Sequence, residues 1–266
     1  AEYEAAGSLL VSLRQGSRID LGKIALPLPD KTTSPLRGLV TDLDLRFVGD
    51  FGKPSTWKAN GNLVASGTGW VSDSGVYEID SVALTITDNA LAANLSRRET
   101  TLQVTASAPL EEVSSTHELA SVPLNLGIRL DLPSLGDAVR DFTDKIPLTG
   151  SLTLEAREVQ LIGGKTIQSG SLLILSDNLA WDGIQLSGMQ LAANVEAENL
   201  VRLAMDLGLD PRNQIRLAGT FDAGKLRYEG EAGFSVDTKG KLGEVLADLH
   251  QTDYSGVASL SWKGSG

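Results

Sequence analysis

Apolar and polar residues alternate in short runs along almost the whole chain, as in Leu124-Asn125-Leu126-Gly127-Ile128-Arg129-Leu130-Asp131-Leu132. A period of two sends successive side chains to opposite faces of a strand, so each run is apolar on one side and polar on the other. Helical spacing is nearly absent between the runs. The pattern predicts an all-β chain, a long antiparallel sheet that is apolar on one face.

Strand-like stretches cover residues 8–15, 19–26, 36–48, 57–66, 76–87, 90–96, 101–108, 122–132, 148–161, 170–175, 184–197, 200–209, 214–222, 225–236 and 255–262. Turn formers stand between them: Asp50-Phe51-Gly52, Asp73-Ser74-Gly75, Thr87-Asp88-Asn89, Gly163-Gly164-Lys165 and Asp222-Ala223-Gly224. Such residues suit tight hairpins, so the order predicts a meander of antiparallel neighbours. Two stretches carry the three-four spacing of short amphipathic helices: 133–142 through Leu135, Ala138, Val139 and Phe142, and 241–249 through Leu242, Val245, Leu246 and Leu249. Their separation of roughly a hundred residues suggests a long-period repeat, or two linkers that cap a sheet edge. Residues 1–266 read as a single elongated β-rich segment of a larger protein, and the polar stretch 109–121 as a long loop within it.

Composition closes off several classes of function. A formal net charge of −11 disfavours nucleic acid, whose phosphates need a concentrated positive surface. The absence of cysteine excludes disulfides and thiolate metal sites, and fits periplasm and cytosol alike. The longest apolar stretch, Leu172-Leu173-Ile174-Leu175, is far below the ~18 to 20 residues of a membrane-spanning helix, so any anchor is expected outside this chain.

No catalytic, metal or cofactor site is expected. Paired acids at Asp42 and Asp44, Glu196 and Glu198, and Glu229 and Glu231 have a layout that could serve glycoside hydrolysis, but Leu43, Leu45, Val195 and Ala197 take the opposite faces. The acids are therefore expected to point to water. Gly163-Gly164-Lys165-Thr166 lacks the earlier glycine of a phosphate loop, Val159 standing in its place. His117 and His250 have no cluster of ligands around them, and Trp57, Trp70, Trp181 and Trp262 are scattered singly.

What remains is aliphatic. Leu43, Leu45 and Phe47; Leu84 and Ile86; Leu102 and Val104; Leu126, Ile128 and Leu130; Leu152 and Leu154; Leu191, Ala193 and Val195; and Ile215 and Leu217 each fall on one side of their strand. In a closed sandwich they fill a dry core; in a sheet curled into an open trough they line an apolar groove. About fifteen strands at ~4.8 Å would make such a trough ~70 Å long.

The Leu-x-Leu-x-Leu strands, the run Gly150-Ser151-Leu152-Thr153-Leu154-Glu155-Ala156 and the Leu-Pro-Ser-Leu-Gly-Asp element before it resemble the periplasmic repeats of the AsmA-like/TamB family, which includes YdbH. The resemblance covers nearly all of the chain. It implies a β-taco, a long curved antiparallel sheet forming an open trough, in a periplasmic segment of an inner-membrane-anchored protein. It implies a passive conduit for phospholipid between the inner and outer membranes of a Gram-negative envelope, with acyl chains as the partner along the groove. The alternative is a structural scaffold for outer-membrane protein biogenesis, whose strand edges bind an outer-membrane β-barrel partner.

Overall fold

The computed structural model describes residues 6–23, 36–72, 75–140, 148–163, 166–181, 184–186, 188–196, 200–210, 212–237, 239–240 and 257–266. The fold is all-β. Its strands are β1 (Ala6–Ser12), β2 (Ile19–Asp20), β3 (Leu36–Asp50), β4 (Lys58–Ser72), β5 (Gly75–Thr87), β6 (Ala90–Arg97), β7 (Thr100–Ser107), β8 (Leu124–Leu132), β9 (Leu148–Thr149) and β10 (Leu152–Ile162). There follow β11 (Thr166–Ser176), β12 (Ala180–Trp181), β13 (Ile184–Gln185), β14 (Gly188–Glu196), β15 (Leu200–Asp210), β16 (Asn213–Asp222), β17 (Arg227–Asp237) and β18 (Val257–Ser265). The main sheet runs in the order β1-β3-β4-β5-β6-β7-β8-β10-β11-β14-β15-β16-β17-β18, with β2 on β3, so it is an open meander. Two compact units emerge, Ala1–Ile128 with Gln160–Thr166, and Arg129–Val159 with Ile167–Gly266. Their division falls within β8, β10 and β11, not in the stretch 109–121.

In the first unit the turns explain the pairing. Thr87 opposes Ala90 across a two-residue turn in which Asp88 and Asn89 have φ of 46° and 67°, the mirror-image turn that matches strand twist. Asn89 suits this conformation and also extends the ladder: its side chain accepts from Ala59 N at 2.7 Å and donates to Trp57 O at 2.7 Å. The expected tight turn at Asp50-Phe51-Gly52 is instead a longer connection containing a 3₁₀ turn, Pro54–Thr56. Aromatic packing favours the detour, since Phe47 stacks on Phe51 at 5.2 Å and meets Trp57 edge-on at 5.9 Å. The stretch 109–121 holds two further 3₁₀ turns, Leu110–Glu112 and Thr116–Ser121. Ser55 N donates to Val113 O at 3.0 Å, and Pro54 and Val113 are both buried at this end of the unit.

In the second unit the stretch 148–161 is not one strand. Gly150 has φ of 113°, and a Cβ there would lie 2.4 Å from Asn178 O, so the backbone breaks between β9 and β10. The freed end, β9, joins β12 and β13 in a separate three-stranded sheet, which also removes 184–185 from the strand expected over 184–197. The first expected helix is present as α1 (Leu135–Arg140), its Leu135 N donating to Gly150 O at 2.7 Å. Leu135 and Leu179 are both buried in this unit. The second expected helix, 241–249, lies outside the described residues.

Asn213, only 1% exposed, ties β15, β16 and β17 together. Its Nδ2 donates to Asp210 Oδ2 at 2.8 Å and its Oδ1 accepts from Asp237 N at 2.8 Å. Asn213→Ala leaves Asp237 N without its side-chain acceptor and removes one of the hydrogen bonds to Asp210, and is expected to cost about 2 kcal/mol in a urea melt.

Candidate apolar surface

Strand register converts separate alternations into continuous rows. Across the first unit Leu43 opposes Leu63, Leu63 opposes Leu84, Leu84 opposes Ala93, and Ala93 opposes Val104. A parallel row runs through Leu45, Gly61, Ile86, Leu91 and Ala106, and another through Ile19, Val40, Ala65, Val82, Leu95 and Leu102. Val40 and Leu43 differ by an odd number of residues, yet both oppose apolar partners. The register shift between Val40 and Asp42 absorbs the extra residue, a bulge that keeps one face apolar. Phe47 ends this face in the aromatic cluster.

On β8 and β10 the polar side reveals the apolar one. Arg129 forms an ion pair with Asp131 at 2.8 Å and bonds Glu155, which also holds Arg157; Thr153 donates to Asp131 at 3.1 Å. Strand parity then puts Leu126, Ile128 and Leu130, and likewise Leu152 and Leu154, on the reverse faces of their strands. Glu155 is only 9% exposed, and two cations balance two anions around it, which avoids an unpaired buried charge. Further along β10 the apolar parity moves from Ala156 to Val159, and Glu158 between them has φ of 52°.

Hydrogen bonds from the Arg129 guanidinium hold the Asp131 carboxyl below its ordinary value, with a smaller opposing push from burial. The stability this contributes is complete above the ordinary value of 3.8 and is lost as the pH falls below it towards the folded value. Asp131→Asn is expected to remove that component, so acid melts should show a shallower loss of stability below pH 3.8 in the variant than in the wild type.

The second unit repeats the rows with larger side chains at the β18 side. Ile174, Leu191, Met205, Leu217, Ala232 and Trp262 oppose one another in turn. Beside them run Met189, Leu207, Ile215, Phe234 and Leu260 on one flank, and Leu172, Ala193, Leu203, Gly219, Gly230 and Gly264 on the other. The reverse face is charged, with Arg216 paired to Asp206 at 2.9 Å and Arg202 to Glu196 at 2.9 Å.

Of the residues expected to line the groove or core, all are half-buried except Leu217, which is 41% exposed; none is buried. A closed sandwich would bury them. The structure brings Leu43, Leu84 and Val104 into one row, Leu45 and Ile86 into another, and Leu191 and Leu217 into a third, while Val195 and Ile215 sit in flanking rows. Leu63, Met205, Phe234 and Trp262 belong to the same rows, and only register reveals them. Trp57 belongs to an aromatic cluster with Phe47, and Trp262 is exposed on β18.

Asp42, Asp44, Glu229 and Glu231 are exposed on the polar faces, Glu196 is paired with Arg202, and Glu198 lies outside the described residues. His117 is exposed, and among the described residues no group of side chains is arranged to hold a metal ion. Nor is any described helix long and apolar enough to cross a membrane. Set against family models, curated proteins and solved structures, the chain has no match.

Proposed function

We propose that the apolar rows are a surface for phospholipid acyl chains and that the protein is a passive conduit for lipid between the membranes of a Gram-negative envelope. The observation that carries this reading is that the aligned apolar rows keep most of their larger side chains half-buried or exposed, Val40 being the exception, while Ala65 and Ala93 are buried beside them. Each CH₂ moved from water onto such a surface is worth about 0.8 kcal/mol, so an acyl chain needs no specific polar contact to bind. No covalent step and no cofactor are required. The envelope setting and the membrane-anchored periplasmic location rest on the sequence resemblance to the AsmA-like/TamB family.

Photo-crosslinking in the bacterial envelope tests the reading, with the reactive side chain at Ile128 or, one residue away on the opposite face, at Arg129. Lipid adducts at Ile128 and none at Arg129 are expected. A folded protein without lipid at either position would move the reading to an assembly scaffold. That second reading is favoured by β1, an edge strand with three successive exposed aliphatic residues, Leu9, Leu10 and Val11. Such an edge offers main-chain hydrogen bonds to an added strand from an outer-membrane β-barrel protein.

A further inference from the structure

Asp222 pairs with Arg227 across the β16–β17 connection, whose turn is Ala223-Gly224-Lys225-Leu226. Leu226 has φ of 52°, the left-handed conformation in which glycine or asparagine is expected and a leucine is strained. Its side chain is 77% exposed, more than any other large apolar side chain among the described residues. Neither backbone preference nor burial accounts for leucine at this position.

The surroundings suggest what does. Lys225, 3.2 Å from Asp222, is 73% exposed, and Arg227 is exposed on the other side of the leucine. The adjacent apolar row runs Val195, Val201, Phe221, Tyr228, and its two aromatic members are exposed. A protruding aliphatic side chain, flanking cations and aromatic rings behind them are the combination that suits a bilayer interface. The acids nearby are Asp222, engaged by Lys225, and Glu229 on the polar face of β17. The remaining negative charge of the chain is screened beyond about 10 Å at 0.1 M salt.

We propose that the β16–β17 tip inserts into the surface of a bilayer containing anionic phospholipid. Leu226 enters the acyl region, Lys225 and Arg227 lie at the phosphates, and the row ending at Tyr228 receives acyl chains. The last clause rests on the conduit reading above.

The test uses the full chain with vesicles of phosphatidylethanolamine and phosphatidylglycerol, and with vesicles of phosphatidylcholine alone. Leu226→Gly relieves the strained backbone, so it should melt no lower than the wild type while binding anionic vesicles about tenfold more weakly. Lys225→Ser with Arg227→Ser should weaken that binding about fivefold per charge and leave phosphatidylcholine binding little changed. Wild-type protein that ignores both vesicles, as expected of a tip that meets a protein partner, overturns the proposal; so does Leu226→Gly protein that binds as tightly as the wild type. A photo-crosslinker at Leu217 separates the two readings. Vesicle binding through the tip without acyl adducts at Leu217 removes the conduit alone, and adducts without vesicle binding remove the tip alone.

Discussion

Gly61→Ala is expected to lower the stability of the first unit by about 3 kcal/mol or more, a Cβ there making the shortest backbone approach among the described glycines. Gly61 sits in the row between Leu45 and Ile86 with φ of 152°. A Cβ there would lie 2.0 Å from Asp44 O and 2.8 Å from Leu45 Cα, both backbone atoms that cannot swing aside. Alanine must therefore push β4 off β3, and the ladder on both sides of it opens. Gly233→Ala is the control, since nothing lies within 4 Å of its added Cβ, and its cost should stay within about 0.5 kcal/mol. Urea melts followed by tryptophan fluorescence compare the two. Equal midpoints would mean that β3 and β4 do not approach as closely as described.

On the conduit reading proposed above, Ile128→Asp should leave the protein folded yet remove lipid from the apolar face. The side chain is half-buried rather than buried, so on that reading a carboxylate there stays in reach of water and costs about 1 kcal/mol. In a closed core the same unpaired charge would cost several kcal/mol. An acyl chain crossing the position, by contrast, must strip that carboxylate of water or lose contact with two or more CH₂ groups, about a tenfold loss in occupancy. A melting curve near that of the wild type, with acyl adducts at Leu126 reduced at least tenfold, is the expected pair of results. Outright unfolding would show that the face is covered in solution and favour the scaffold.

Much of this fold was legible because alternation and turn chemistry are local. Thr87-Asp88-Asn89 reads as a hairpin from three residues, and the side-chain parity of Leu124–Leu132 survives intact in β8. The misreadings have non-local causes. The break at Gly150 depends on the approach of Asn178, and the departure of β9 to a second sheet depends on β12, residues about thirty positions away in the chain. Asp50-Phe51-Gly52 carries good turn residues, but packing of Phe51 against Phe47 lengthens the connection. Trp262 looked isolated in sequence because its row partners, Ala232 and Leu217, lie on other strands.

The amino-acid sequence by itself determined the class of the fold, the parity of each strand and the sign of each face, because neighbouring side chains on a strand must point to opposite sides. Tertiary structure alone decided which parities join into rows, through register shifts such as that at Val40 and Asp42 and the left-handed residue Glu158. It also decided that most of the larger side chains in those rows stand half-buried or exposed, a choice alternation leaves open because a covered face and an uncovered one require the same pattern of residues.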